Sequence, residues 1–218
     1  MTGYPNSPRL IKGGIVLIDP NSGQVRRVIA LQYNPDSLTR TLQSQQLTEG
    51  ADRSEVLRLK GPAVETYRLE AEIDAADQLE FPDQHQAVVE SGVAPQLAVL
   101  ESLVNPTSAD LLANNALANS GTLEIAPMES PLPLLVWGRN RIVPVRVAEF
   151  SITEEAFDPA LNPIRAKVSL SLRVLSIDDL GFNHKGGSVF MANLQAREQL
   201  ALKAATVAFD ALGIRGVP

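Results

Sequence analysis

Ile164, Ala166, Val168, Leu170, Leu172 and Val174 alternate with Arg165, Lys167, Ser169, Ser171 and Arg173. A two-residue period of this length predicts a strand with one buried and one solvated face. Burying one large aliphatic side chain contributes roughly 1.5–3 kcal/mol, so a register slip exposing the row costs on the order of 10 kcal/mol. At about 3.3 Å per residue the strand spans about 35 Å, long for a small domain. Upstream, Arg141 to Ile152 alternates imperfectly. Val143, Val145 and Val147 point one way, and Ile142, Ala148, Phe150 and Ile152 the other. That fits a strand covered on both faces or a bulge that switches face. Leu134 to Trp137 is a short apolar strand ended by Gly138. Between Glu65 and Asp74, Tyr67, Leu69, Ala71 and Ile73 share one face, and Thr66, Arg68, Glu70, Glu72 and Asp74 the other. Leu10 to Ile18 and Val25 to Tyr33 flank the turn signal Asp19-Pro20-Asn21-Ser22-Gly23 and read as a hairpin. Asn34-Pro35 stops the second strand, because proline has no N–H for the ladder. Leu38 to Leu47 reads as a third strand, and Val56 to Lys60 as a short one ending at Gly61-Pro62.

Helical patterns are fewer. Ala75 to Ala94 reads as loop with a helical turn. Pro95 to Leu103 reads as a helix with proline at its first position, and Ser108 to Leu117 as a second, capped by Ser108. Asn119 to Pro133 holds Gly121, Pro127, Pro131 and Pro133 and reads as exposed loop. Gly186-Gly187 reads as a flexible joint, after which Ser188 caps a helix running to about Gly213. Phe190, Leu194, Ala201, Ala204, Val207, Ala208 and Leu212 lie along one side of it, so it packs against something. The fold class is mainly β with minor α. Its parts are an arm (1–9), a β domain (10–180) with a loop and helical insertion (75–133), and a C-terminal docking helix (187–213). No internal repeat or low-complexity run is present.

Composition narrows the function classes. The 218 residues are enough for an independent core. The net charge of −6 disfavours a general nucleic-acid binder. The chain has no cysteine, which removes thiol catalysis, disulfides and thiolate metal sites. The N-terminus lacks a basic region followed by an apolar run, so synthesis in the cytoplasm without a signal peptide is expected. The most apolar stretch, Ser188 to Leu212, carries Arg197, Glu198, Lys203 and Asp210, which argues against membrane insertion.

The candidate chemistry is thin. His85 and His184 are the only histidines and show no metal-ligand spacing. Glu154-Glu155 and Asp178-Asp179 are adjacent acids, whereas a general acid/base pair needs two carboxyls facing one cleft. Asp19 and Asn21 suit an Asx-type turn better than a calcium loop. No Gly-x-Ser-x-Gly elbow appears, and neither Gly13-Gly14 nor Gly186-Gly187 has phosphate-loop spacing. Arg139, Arg141 and Arg146 form a basic patch near Trp137, suited to intersubunit ion pairs, a solvated face or, less well without interleaved aromatics, nucleic acid. No catalytic, cofactor or metal site is expected.

Five segments in order resemble one family. Leu31-Gln32-Tyr33-Asn34-Pro35-Asp36-Ser37-Leu38 resembles the opening of the tube-like domain in contractile injection system proteins. Leu57-Arg58-Leu59-Lys60-Gly61 and Tyr67-Arg68-Leu69-Glu70-Ala71-Glu72-Ile73-Asp74 resemble its next pair of strands. Pro133-Leu134-Leu135-Val136-Trp137-Gly138 resembles its Trp-Gly strand. Phe157-Asp158-Pro159 through Pro163-Ile164-Arg165-Ala166-Lys167-Val168 resembles its Pro-x-Arg-Ala step. The match runs from about Leu10 to Leu175. The chain departs in three places: no LysM module follows Leu175, Glu129-Ser130-Pro131-Leu132-Pro133 replaces the usual His-Arg-Pro-Pro, and Leu161 or Asn162 stands where a glycine is usual.

The resemblance implies a tube-like β-barrel or sandwich whose strands continue between neighbours around a six-fold ring, in a phage-tail-like particle. It implies a structural, non-enzymatic baseplate adaptor linking the spike hub to the first inner-tube ring, with no cofactor, no nucleic acid and no membrane insertion. Its partners are copies of itself, the spike protein, the tube protein, and a baseplate or sheath component met by the C-terminal helix. The particle is cytoplasmic or released on lysis. A tube-terminating cap remains an alternative, as do a cell-wall-acting baseplate hydrolase and a carbohydrate- or peptide-binding sandwich. The subunit-interface candidates are Tyr33, Asn34, Pro35, Trp137, Gly138 and Arg165 in the matching segments, Arg141 and Arg146 in the basic patch, and Phe190, Leu194 and Val207 on the helix.

Overall fold

The computed structural model describes residues 10–45, 58–119, 130–204 and Ala211. The hairpin forms as expected, from β1 (Gly14–Ile18) and β2 (Val25–Ala30). Asp19 closes its turn by accepting from the backbone N–H groups of Asn21 and Ser22 at 3.1 and 2.8 Å, the Asx-type turn its position suggested. Next come β3 (Leu38–Gln43) and β4 (Val64–Asp74). The insertion folds as α1 (Ala76–Leu79), a 3₁₀ turn at Pro82–Gln84, α2 (Gln86–Ser91), α3 (Ala94–Glu101) and α4 (Ser108–Asn119). Then follow β5 (Leu132–Val136), β6 (Ile142–Phe157), β7 (Pro163–Val174), α5 (Ile177–Leu180) and α6 (Lys185–Leu202).

The strands form one antiparallel sheet in the order β2-β1-β5-β6-β7-β4-β3. The mainly-β expectation holds, but the sheet is open, with β2 and β3 as its ends. β6 joins its two halves. Residues 142–144 pair with β5, and residues 145–157 pair with β7. The register shifts between Val147 and Glu149, so Ala148 is the extra residue of a bulge. The bulge moves the inward positions from Val143, Val145 and Val147 to Phe150 and Ile152. This explains the imperfect alternation and selects the face switch over a strand covered on both sides.

The row read from β7 is buried: Ala166, Val168, Leu170, Leu172 and Val174 meet Tyr67, Leu69, Ala71 and Ile73 of β4 and Ile15, Ile29 and Leu31 of the hairpin. Leu97 and Leu100 of α3 and Phe190 of α6 complete this core. The gap between β2 and β4 is bridged by a side chain acting as a peptide group. Gln32 Nε2 donates to the Asp74 carbonyl at 2.7 Å, and its Oε1 accepts from the Asp74 N–H at 3.1 Å.

Two local readings need correction. The cap of α4 is Thr107, whose Oγ1 accepts from the Asp110 N–H at 3.2 Å, not its neighbour Ser108. Gly186-Gly187 is no joint. Both glycines lie buried in the first turn of α6, capped by His184 Nδ1, which accepts from the Gly186 N–H at 3.0 Å. A Cβ on Gly187 would stand 2.0 Å from the Gly181 carbonyl oxygen, and one on Gly186 2.4 Å from Leu180. Gly187 is there because two backbones touch, and Gly186 because the side chains of Leu180 and Leu132 crowd it. Ser188 therefore lies inside the helix. The part of the expected helix between 205 and 213, Val207 included, falls outside the described residues apart from Ala211.

Candidate functional site

Backbone edges are the first feature with functional potential. Among the described residues, β3 is exposed along nearly its whole length and pairs only with β4. Among the same residues, β6 beyond Pro144 pairs only with β7, which leaves its other edge without a described strand partner as far as the tip at Phe157. The four strands β6-β7-β4-β3 thus carry an open edge on each flank. Their solvated face bears Thr39, Arg68, Glu70, Ser151 and Ser169 around a shallow depression of about 470 Å³, which the buried Ser171 also lines.

At the tip the backbone is strained. Ala156 and Leu161 have φ of 53° and 66°, the only positive values among described non-glycine residues. Asp158 holds the loop by accepting from the Ala160 and Asn162 N–H groups and from Asn162 Nδ2, each at 2.8 Å. The Asn162 amide, chiefly, keeps the Asp158 carboxyl below its ordinary range. The result is a fixed loop that shows Leu161, 78% exposed, and Phe157 to solvent.

The second feature is a buried ion cluster. Glu65 lies on the core side of β4, in step with Tyr67, and is only 3% exposed. Arg197 of α6 grips it with both Nη atoms at 2.8 Å, and Arg40 of β3 donates Nε to it at 2.6 Å. Burial opposes the charged carboxylate, but the two guanidiniums outweigh it, so Glu65 titrates below its ordinary value. Burial and then the neighbouring Glu65 push Tyr67 up to about 12. The Arg141 guanidinium lies 5.6 Å from the centre of the Tyr67 ring. The cluster ties the edge strand β3, its neighbour β4 and the helix α6 together. The alternation already placed Glu65 beside Tyr67, but nothing local pointed to Arg197, 132 positions away.

The other singled-out residues fall in distinct places. Asn34 pins the start of β1, its Oδ1 accepting from the Gly13 N–H and its Nδ2 donating to the Ile11 carbonyl, both at 2.8 Å. Gly13 packs so closely on Trp137 that a Cβ would lie 2.4 Å from the indole. Asn34 and Trp137 therefore meet through one glycine. Tyr33 is exposed, and Pro35 borders a cavity with Glu70, Glu72 and Lys167. Gly138 takes φ 74° in the turn that Trp137 and Arg141 close. Arg146 is exposed, and Arg165 pairs with Asp74 at 2.7 Å. Phe190, 7% exposed, belongs to the chain's own core, with Leu194 packed against it.

One acid of each adjacent pair has a structural partner. Glu155 bonds Lys167 at 3.2 Å, and Asp179 bonds Arg173 and closes a capping box with Ser176. Among the described residues, no group of three or more His, Cys, Asp or Glu side chains is placed to hold a metal. No described helix is long and apolar enough to cross a membrane.

No protein-family model matches the sequence, and no curated protein matches it. Among solved structures, the chain is similar to one in the tail of an empty gene transfer agent particle, refined helically with C6 symmetry. That match has a TM-score of 0.30 and 14% identity and covers 75% of this chain and 90% of the other. It is also similar to a chain in the virion of a native gene transfer agent particle, with a TM-score of 0.27 and 11% identity over 74% and 90% of the two chains. Overlaps this slight fix no role.

Proposed function

We propose that this chain is a ring-forming structural component of a contractile, phage-tail-like injection particle, placed as the adaptor layer between the spike hub and the first ring of the inner tube. The observation that carries the reading is the pair of open edges on opposite flanks of β6-β7-β4-β3. An open edge offers unpaired N–H and C=O groups to another strand. One on each flank lets β3 of one copy meet β6 of the next, and a head-to-tail contact of this kind closes into a ring when its rotation allows. The polar face of the same four strands then lines the central channel. The five ordered sequence segments that resemble tube-like domains support the reading, including its six-fold symmetry. The exposed side of α6 is the surface left for a baseplate or sheath component.

Native mass spectrometry and negative-stain images of the purified chain test the ring. Closed six-membered rings are expected, and a single chain at every accessible concentration refutes the reading. Pull-down with the separate spike and tube proteins tests the position: an adaptor binds both, whereas binding to the tube alone makes it a terminating cap.

A further inference from the structure

β2 ends the sheet and does not pair with β4. Gln32 spans the gap between them at Asp74. Beside that bridge lies a cavity of about 210 Å³. Ile29 and Leu31 of β2 and Ile73 of β4 line it, and Gln96, Val99 and Leu100 of α3 close it. The three helical residues stand three and four positions apart, so one face of α3 supplies them all. Val28 also lines the cavity and is 65% exposed, so it opens to solvent along the outer edge of β2.

Gln96 is out of place among these side chains. Its Oε1 is buried and, among the described residues, is the one buried side-chain atom with no hydrogen-bond partner. Buried polar atoms are nearly always paired, so an exception calls for a reason. The lining itself supplies no donor for it. The Gln32 amide is committed to Asp74, and neither lysine nor arginine borders the cavity. Glu72 is the one charged residue of the lining, and its carboxylate disfavours an anion there. An apolar cavity of about 150 Å³ takes up benzene, so one of 210 Å³ has room for about eight or nine non-hydrogen atoms.

We infer that this cavity binds a small, neutral, mainly apolar molecule with one N–H or O–H group, which donates to Gln96 Oε1. The apolar walls supply the affinity, and the single acceptor fixes the orientation. A bound molecule pins α3 across the gap that β2 and β4 leave open. The inference goes beyond the structural-layer reading and stands without it, because every residue it uses belongs to one chain.

Heteronuclear NMR titration of the whole chain tests it, with indole as the probe and indene and benzofuran as analogues of the same outline that lack the N–H. Indole should shift the amides of Ile73, Gln96 and Leu100 with a Kd of about 0.1–1 mM. The two analogues should bind at least about tenfold more weakly. Gln96→Leu removes the acceptor and should erase that preference. Val99→Trp places the chain's own ring in the cavity and should abolish binding of all three. Circular dichroism checks that both variants fold, and the analogue series on the wild type decides the matter if either does not. The inference is overturned if indole leaves these amides unmoved up to about 5 mM, an outcome that assigns Gln96 to a water molecule. It is equally overturned if indole and its analogues bind alike, if the preference survives Gln96→Leu, or if Val99→Trp binds like wild type. Ring formation is read separately by native mass spectrometry, so neither result decides the other.

Discussion

Replacing Glu65 by alanine removes the one anion shared by Arg40 and Arg197. Breaking a buried ion pair by removing one partner costs about 3–5 kcal/mol, because the remaining charge stays behind uncompensated. Here the arginines keep some access to water, with side chains 32% and 27% exposed, which places the cost near the low end, about 3 kcal/mol. For a chain of this size that lowers the melting temperature by about 6–12 °C. Urea denaturation reads the free energy. Hydrogen exchange locates it, with protection falling first in α6 around Arg197 and in β3 around Arg40. A companion variant, Glu65→Leu with Arg40→Leu and Arg197→Met, removes all three charges and should recover much of the loss. A loss below about 1 kcal/mol in the single variant, or unchanged exchange in α6, refutes the view that this cluster holds the helix to the sheet.

The same cluster sets an acid limit. The Glu65 carboxyl is held below its ordinary value, so its contribution is whole above about pH 4.3, the unperturbed value, and is lost as pH falls through the folded-state value. The urea midpoint should be level from neutral pH to about 5 and decline below about 4, with a smaller decline in the Glu65→Ala variant. Gly187→Ala drives a methyl group into the Gly181 carbonyl and should cost about 1–3 kcal/mol, seen as a lower midpoint and exposed amides at the start of α6. Gln32→Leu leaves both polar groups of Asp74 without their partner and should cost about 1–3 kcal/mol, measured the same way. Leu161→Asn suits the left-handed backbone better and should raise stability by roughly 0.5–1 kcal/mol, read as a higher urea midpoint.

Regular alternation made the sheet legible. The row from Ile164 to Val174 and the face from Tyr67 to Ile73 lie where their period put them, because a one-residue error would turn an entire row into water. The bulge at Ala148 was visible as a fault in the pattern, although its hand-over from β5 to β7 was not. What stayed hidden depended on contacts between distant segments. Gly186-Gly187 reads as flexibility until Gly181 is seen against it. Thr107 and Ser108 are equally able caps, and only geometry chooses between them. Glu65 resembles any strand-edge acid until Arg197 closes on it.

β6 also has a mechanical consequence. From Val145 to Phe157 its one described strand neighbour is β7, in an antiparallel ladder interrupted only at the Ala148 bulge and at Ala156. A force applied along the strand axis acts on those hydrogen bonds together, in shear, whereas a force across it would peel them one after another. The molecule is therefore stiff to load along its strands and comparatively easy to open from the side.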